Sequence, residues 1–293
     1  MRNSKLSQRE NGVKITVITV NYNNLNGLKR TIPSVLSQTY SQYEYIIVDG
    51  GSTDGSKEYI EQYSPLIDQW ISEPDKGVYN AMNKAIKMAH GEFCIFMNSG
   101  DHFYSATVLE EVLPSLNDAD IYTGYTLRIG DRQVDIWAPP AELDMHFMMY
   151  ESLSHQATFT RTSILKEQPF SEEYKIVSDW ESLFKAWYQQ KCKYQRLNDT
   201  IAVYYLDGIS SNFNLCVKER KLVIKDILGK EVPSDYYCNS SVDVTQYLTS
   251  TQLKRKKIFE QKIKTAMIQS PVLRDMKILR NAFKFLIKDL FLK

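Results

Sequence analysis

Phe93-Cys94-Ile95-Phe96-Met97-Asn98-Ser99-Gly100-Asp101 is an apolar run that stops abruptly in a polar turn carrying one carboxylate. Such an uninterrupted apolar run suits a strand covered on both faces. The same figure recurs upstream. Lys14 to Val20 is rich in β-branched residues and ends in Asn21-Tyr22-Asn23-Asn24. Tyr43 to Val48 ends in Asp49-Gly50-Gly51-Ser52-Thr53-Asp54-Gly55-Ser56, and Ile67 to Ile71 leads into Glu73-Pro74-Asp75-Lys76-Gly77. Between these runs, Leu28, Ile32, Val35 and Leu36 recur at helical spacing, Tyr59 and Ile60 open a second helix, and Val78, Met82, Ala85, Ile86 and Ala89 line a third. Asp54 or Ser56 is the expected N-cap of the second helix, while Pro33 inside the first is a defect that spacing does not explain. Strand and helix thus alternate from Lys14 to Met97, the pattern of a doubly wound α/β sheet with right-handed crossovers. Ligands of such sheets bind in the crevice at the carboxyl ends of the strands, where these polar turns fall.

Beyond Asp101 the pattern loosens. Strands are expected at Ile121 to Leu127, Gln133 to Trp137, His155 to Arg161 and Ile201 to Leu206, with a helix around Ser178 to Gln190 that sets Leu183, Phe184 and Trp187 on one face. No repeat or low-complexity linker divides this stretch. The expected organisation is an N-terminal arm at residues 1–13, one α/β domain at 14–214 and a helical, basic extension at 215–293. In the extension, Met276, Leu279, Phe283, Leu286, Ile287 and Leu290 recur near helical spacing among Lys277, Arg280, Lys284, Lys288 and Lys293. That is an amphipathic basic helix, suited either to an anionic membrane surface or to packing on the domain.

The 293 residues are 43% hydrophobic and 24% charged with a formal net charge of +1, which describes an ordinary globular chain and argues against a general nucleic-acid binder. Cys94, Cys192, Cys216 and Cys238 show no CxxC pair and no histidine at zinc-ligand spacing, so reduced structural thiols are expected rather than a metal finger. Met1 to Lys14 does not read as a signal peptide, and no apolar run approaches the roughly 18 to 20 residues of a membrane span. The expected compartment is the cytoplasm.

Four constellations can carry chemistry, and each also has a plain structural reading. Asn21, Asn23 and Asp49, at successive strand ends, either close turns or bond a heterocyclic base and ribose. Asp75-Lys76-Gly77, just before the helix that carries Tyr79 and Asn83, is either a solvated turn or a phosphate contact at a helix N-terminus. Asn98-Ser99-Gly100-Asp101 is either an Asx-type turn or a site where one carboxylate holds a hard divalent cation together with substrate phosphates. Ser178-Asp179-Trp180-Glu181 either caps a helix or supplies a general base. His155, ahead of Gln156, reads as a structural histidine or an acceptor contact. Neither a GxxxxGK[ST] loop nor a GxGxxG fingerprint occurs.

Their order in the chain adds a further reading. Thr19-Val20-Asn21-Tyr22-Asn23, Ser34-Val35-Leu36-Ser37-Gln38-Thr39-Tyr40, Ile47-Val48-Asp49-Gly50-Gly51-Ser52-Thr53-Asp54-Gly55 and Ser72-Glu73-Pro74-Asp75-Lys76-Gly77-Val78-Tyr79-Asn80-Ala81-Met82-Asn83 together resemble family 2 glycosyltransferases, over about Lys14 to Ser211. The resemblance implies a GT-A fold: a nucleotide-binding, mostly parallel sheet flanked by helices and joined to an acceptor-binding part. It implies inverting transfer of a sugar from a nucleotide donor, with uridine as the base, to a hydroxyl of a polysaccharide or lipid-linked oligosaccharide. In that light Thr19, Asn21, Asn23, Asp49, Asp75 and Lys76 look like the nucleotide cradle. Asp101 looks like the carboxylate that binds Mn²⁺ or Mg²⁺, with Asn98 and Gly100 where further carboxylates often stand. Asp179 falls where the catalytic base is expected. Asn83, Asn98, His155, Trp180 and Glu181 are implied as contacts to sugar donor or acceptor, as are Gly208 and Ser210 of Asp207-Gly208-Ile209-Ser210-Ser211, a loop similar to one that closes over the donor. The implied partners are a nucleotide sugar, a glycan or lipid-linked glycan, and an anionic membrane surface met through the C-terminal helix.

Two alternatives stay open at this level. A GT-A-like module that binds a nucleotide sugar without turnover is kept alive by Asn98 and Gly100. A nucleotidyltransferase would share the sheet and acidic metal ligands, but no Gly-rich, Arg-containing phosphate loop opens the chain.

Overall fold

A computed structural model describes residues 13–130, 134–205 and 213–229. The expected arm up to Gly12, the loop of Gly208 and Ser210, and the amphipathic stretch from Met276 to Leu290 lie outside the described residues.

The chain begins with β1 (Ile15–Asn21), α1 (Leu25–Leu36), β2 (Glu44–Asp49), α2 (Ser56–Tyr63), β3 (Gln69–Ser72), α3 (Val78–Met88) and β4 (Phe93–Phe96). It continues with β5 (His102–Phe103), α4 (Val108–Val112), β6 (Ile121–Ile129), β7 (Val134–Trp137), α5 (Met145–Tyr150), β8 (Thr158–Arg161), α6 (Thr162–Glu167), α7 (Ser178–Tyr188), β9 (Tyr194–Tyr205) and α8 (Phe213–Leu228). One sheet runs in the order β3-β2-β1-β4-β8-β6-β9-β5, with β7 paired to β6. The first four strands are parallel. β8 enters antiparallel between β4 and β6.

The reason for the parallel half is visible in β1. Its residues alternate between two covered faces: Ile15 and Val17 join a core with Leu28, Ile32 and Val35 of α1, whereas Ile18 and Val20 join one with Met82, Ala85 and Ile86 of α3. Both faces are apolar, so the strand reads as a continuous run. A third core, built on Trp180 and Phe184 of α7, takes in Val223, Ile224 and Ile227 of α8. Residues 213–228 therefore pack on the domain as a helix.

Local expectations were met unevenly. α1 keeps its helix through Pro33 because that residue faces solvent, and the missing amide leaves the Lys29 carbonyl on an exposed flank. Gly55, at φ +93, precedes α2 instead of a side-chain cap. Asp54 spends its carboxylate on the Ser56 amide at 3.1 Å and the Leu25 amide at 2.8 Å, tying the starts of α2 and α1 together. His155 does not open a strand, because His155 to Ala157 form a 3-10 turn and β8 starts at Thr158. Cys94, Cys192 and Cys216 are free thiols, and burial pushes Cys94 up to about 12.

Candidate active site

β1 has β2 on one side and β4 on the other, so the connections leave it in opposite directions and open a crevice at its carboxyl end. Two polar clusters meet there.

The first centres on Asp49, the last residue of β2. Its Oδ1 accepts from Asn21 Nδ2 at 2.7 Å and Ser52 Oγ at 2.6 Å; its Oδ2 accepts from the Ser52 amide at 3.0 Å and Ser72 Oγ at 2.7 Å. Burial alone would raise this carboxyl, but the bonds from Ser52, Ser72 and Asn21 hold it below the ordinary carboxylate value. Asp49 thus fastens the ends of β1 and β3 and the loop after β2. Asn21 is 4% exposed and its Oδ1 has no partner, which leaves a buried acceptor at the end of β1. Asn23, at φ +47, gives its amide to Ser52 Oγ and takes the Thr53 amide on its side chain. Asp75 lies against Gly50, where an added Cβ would collide with its carboxylate and press on the Tyr22 ring at 3.2 Å. Tyr22 itself is 66% exposed beside this cluster. Lys76 is exposed and gives its amide to Asn80.

The second cluster runs from the turn after β4 to α7. Thr31 of α1 anchors the turn, donating from Oγ1 to the Asp101 carbonyl at 2.7 Å and accepting the Gly100 amide at 3.0 Å. Asn98 Nδ2 lies 3.2 Å from His155 Nε2, His155 Nδ1 lies 3.1 Å from Asp179 Oδ2, and Tyr79 Oη of α3 lies 3.0 Å from Asp179 Oδ1. Burial would raise Asp179, but the hydrogen bond and charge of His155, with the bond from Tyr79, hold it below the ordinary value. Burial would lower His155, yet Asp179, and then the charge of Asp101, keep it above that of a free imidazole. Asp179 and Asp101 therefore act on one side chain.

α7 explains why Asp179 serves this cluster. Ser178 is the first residue of the helix and neither Ser178 nor Asp179 caps it, so the carboxylate is free for His155 and Tyr79. The preceding segment is clamped from two sides. Glu219 of α8 accepts the Lys175 amide at 2.9 Å and the Ile176 amide at 3.0 Å, and Tyr79 Oη donates to the Ile176 carbonyl at 2.6 Å.

Several expected contact residues face elsewhere. Thr19 is fully buried and donates to the Met97 carbonyl at 2.7 Å, bracing β1 against β4. Asn83 exchanges both halves of its amide with the Phe170 backbone. Successive helical positions are turned by roughly 100°, so Trp180 and Glu181 point away from Asp179's partners: Trp180 Nε1 donates to the Met148 carbonyl, and Glu181 takes Lys185. Spacing did not single out Ser52, Ser72, Thr31 or Glu219 as site residues, and it grouped Tyr79 with Asp75 and Lys76 rather than with Asp179. Their partners lie 23 residues away for Ser72 and 100 for Tyr79. Arg30 also went unnoticed. It reaches to within 3.9 Å of a Cβ position at Gly100, and its guanidinium lies 4.4 Å over the Tyr205 ring.

Among the described residues no group of three or more His, Cys, Asp or Glu forms a ready metal cage. A single buried carboxylate, Asp101, on a turn at the crevice still suits a hard cation that takes its remaining ligands from a diphosphate and water.

Known proteins match this chain in sequence and in shape. The model of glycosyl transferase family 2 covers residues 16–168. An uncharacterized glycosyltransferase of Mycobacterium tuberculosis is 32% identical over 181 residues, 59% of this chain and 68% of that protein. TuaG, a putative teichuronic acid biosynthesis glycosyltransferase of Bacillus subtilis, is 29% identical over 235 residues, covering 73% of this chain and 88% of its own. S. aureus TarS 1–349, solved in complex with UDP-GlcNAc, superposes with a TM-score of 0.59 at 16% identity over 95% of this chain and 91% of its own. The mannosyltransferase PcManGT of Pyrobaculum calidifontis, solved with GDP-Man and Mn²⁺, gives 0.56 at 12% identity over 99% of this chain and 90% of its own. At those identities the structures speak to the fold, and the fold is GT-A. The family match takes in β1 to β4 with their polar strand ends, and by it this chain belongs to glycosyltransferase family 2.

Proposed function

We propose that this glycosyltransferase transfers a sugar, with inversion, from a uridine-type nucleotide donor to a hydroxyl of a polysaccharide or lipid-linked oligosaccharide. The observation that carries the reading is the line Asn98, His155, Asp179, which joins the turn bearing Asp101 to a carboxylate with an ordered partner on each oxygen.

The nucleotide lies over the ends of β1 and β2. Asn21 Oδ1, buried and without a partner, accepts from a ring N–H of the base, and the exposed Tyr22 ring offers a stacking face. Asn23, Asp49 and Asp75 hold the cradle, with Thr19 and Asn83 bracing it from behind, and Lys76 and Arg30 bring positive charge towards the diphosphate. Asp101 is the residue that holds Mn²⁺ or Mg²⁺ together with the diphosphate; the cation, when bound, stabilises the negative charge of the leaving group. Asp179 takes the proton from the acceptor hydroxyl as the oxygen attacks the anomeric carbon. The bond to the diphosphate oxygen breaks with its electron pair, releasing the nucleoside diphosphate. Gly208 and Ser210, outside the described residues, are further contacts to the donor or acceptor in this reading.

Complexes of TarS with UDP and UDP-GlcNAc support a nucleotide-sugar donor, and the Mn²⁺ in the PcManGT complex supports a divalent cation. The transferase unit is residues 14–214 with α8 packed against it, and the basic stretch within 215–293 carries it to the inner face of a membrane from the cytoplasm. Among the described residues no helix is long and apolar enough to cross a bilayer.

A thermal-shift screen of nucleotide sugars with and without Mn²⁺, followed by assay of transfer, tests the reading. A bound donor raises the melting temperature through binding linkage. Binding with no turnover in any acceptor screen would favour the non-catalytic module instead.

A further inference from the structure

Arg220 of α8 is only 9% exposed, yet its Nε has no hydrogen-bond partner, and among the described residues its guanidinium is in no ion pair. It lies with its central carbon 4.6 Å from the centre of the Trp180 ring and donates a hydrogen bond to the Cys216 sulfur. A cation over an indole face is attracted to the ring, but its N–H donors lie in the plane of the guanidinium and still need acceptors. A buried charge left without them is strongly unfavourable. The fixed fork of a guanidinium matches a carboxylate or a phosphate.

Among the described residues no carboxylate pairs with that fork, and Nε stays without an acceptor. Arg220, Arg128 and His146 all act on Glu151, just past α5, and burial nevertheless keeps that carboxyl above its ordinary value. Arg128 is already paired with Asp135 at 2.7 Å. The other carboxylates nearby are engaged elsewhere: Asp135 with Arg128, Glu219 with the Lys175 and Ile176 amides, and Asp179 with His155 and Tyr79. The position is also suggestive, since Trp180 directly follows Asp179, and α7 presents one residue to His155 and the next to Arg220.

We propose that Arg220 binds an anionic group of the acceptor, a carboxylate or phosphate carried close to the hydroxyl that meets Asp179. This rests on the glycosyltransferase reading given above and adds the charge of the acceptor to it.

The test uses the full chain saturated with UDP, so that the diphosphate region is occupied. Binding of methyl β-glucuronide, glucose 1-phosphate and neutral methyl β-glucoside is then compared by ligand-observed NMR. The carboxylate and phosphate arms distinguish the two sources of charge. At least one charged probe is expected to bind about tenfold more tightly than the neutral one, with the preference weakening as salt is raised. Arg220→Gln is expected to abolish that preference while UDP affinity stays as in the wild type. Arg220→Met, which keeps apolar contact with Trp180, should show the same loss and serves if the glutamine variant does not fold. Equal binding of charged and neutral probes, no binding of either charged probe, or a preference that survives both variants would each overturn the proposal and leave Arg220 a structural stack. Failure of UDP itself to bind would instead count against the nucleotide-donor reading.

Discussion

His155 Nδ1 and Asp179 Oδ2 stand 3.1 Å apart, one from the turn before β8 and the other from the first turn of α7. Each shifts the other: the carboxyl is held low and the imidazole high. Their side chains are 17% and 27% exposed for Asp179 and His155, so solvent screens the pair only in part.

The pair should therefore make stability depend on pH from both sides. Asp179, with its folded value depressed, contributes above the ordinary 3.8 and loses that contribution as pH falls through its lowered value. His155, with its value raised, contributes fully below the ordinary 6.5 and loses that contribution as pH rises through its raised value. A double-mutant cycle of Asp179→Asn and His155→Gln, followed by denaturant unfolding, should give its largest coupling between those two pH values. The expected size is about 1.5–3 kcal/mol, that of a hydrogen bond to a charged group. Coupling that is flat from pH 4 to about 9 would show that the contact carries no charge.

Asp179→Asn should keep the fold and the affinity for UDP while transfer falls by roughly 10²- to 10⁴-fold, the range for a lost general base. Amide for carboxylate preserves shape and the contact with Tyr79, so a fall in kcat with unchanged donor KM isolates proton removal. Full activity in this variant would remove Asp179 from the mechanism.

Glu219 offers a separate handle on the same residue, because it touches the backbone before α7 and not the reacting atoms. Its carboxylate takes the Lys175 and Ile176 amides from a position 6% exposed. Glu219→Ala leaves both amides without that partner, at a cost of about 1–3 kcal/mol for each buried group left unsatisfied. Melting temperature and kcat should fall together. Glu219→Gln, whose carboxamide oxygen can still accept, should recover a larger share of both. If kcat drops while UDP affinity holds, Glu219 is a positioning residue for Asp179.

The parallel half of the sheet was legible because its strands are buried on both faces and end in polar turns, as β1 with Ile15, Val17, Ile18 and Val20 followed by Asn21. The site was legible only as a set of addresses. Asn21, Asp49, Asp101 and Asp179 could be placed at element ends, but the partners of each depend on topology. β8 enters the sheet next to β4, and that is what brings His155 to Asn98 across 57 residues. Trp180 and Glu181 were grouped with Asp179 by adjacency, and helical rotation separates them. Ser52 was read as part of a polar turn and Ser72 only as part of a family motif, since nothing local shows that both bond one carboxylate.

Gly50 gives the sharpest test of the nucleotide cradle. Its φ is outside the left-handed region, so alanine is compatible with the backbone, and the added methyl meets the Asp75 carboxylate first and the Tyr22 ring next. Asp75 is half-buried on a loop and, among the described residues, its Oδ1 accepts only the Gly77 amide, at 2.8 Å, so it can swing aside at little cost to stability. Gly50→Ala should therefore leave the melting temperature of the free protein nearly unchanged. If Asp75 and Tyr22 contact the nucleotide, donor KM should rise by about tenfold, equivalent to about 1.4 kcal/mol, with kcat less affected. Gly51→Ala is the control, because φ +80 at that position strains any side chain and should cost about 1–3 kcal/mol of stability. An unchanged donor KM in a folded Gly50→Ala enzyme would move the base away from Asp75 and Tyr22.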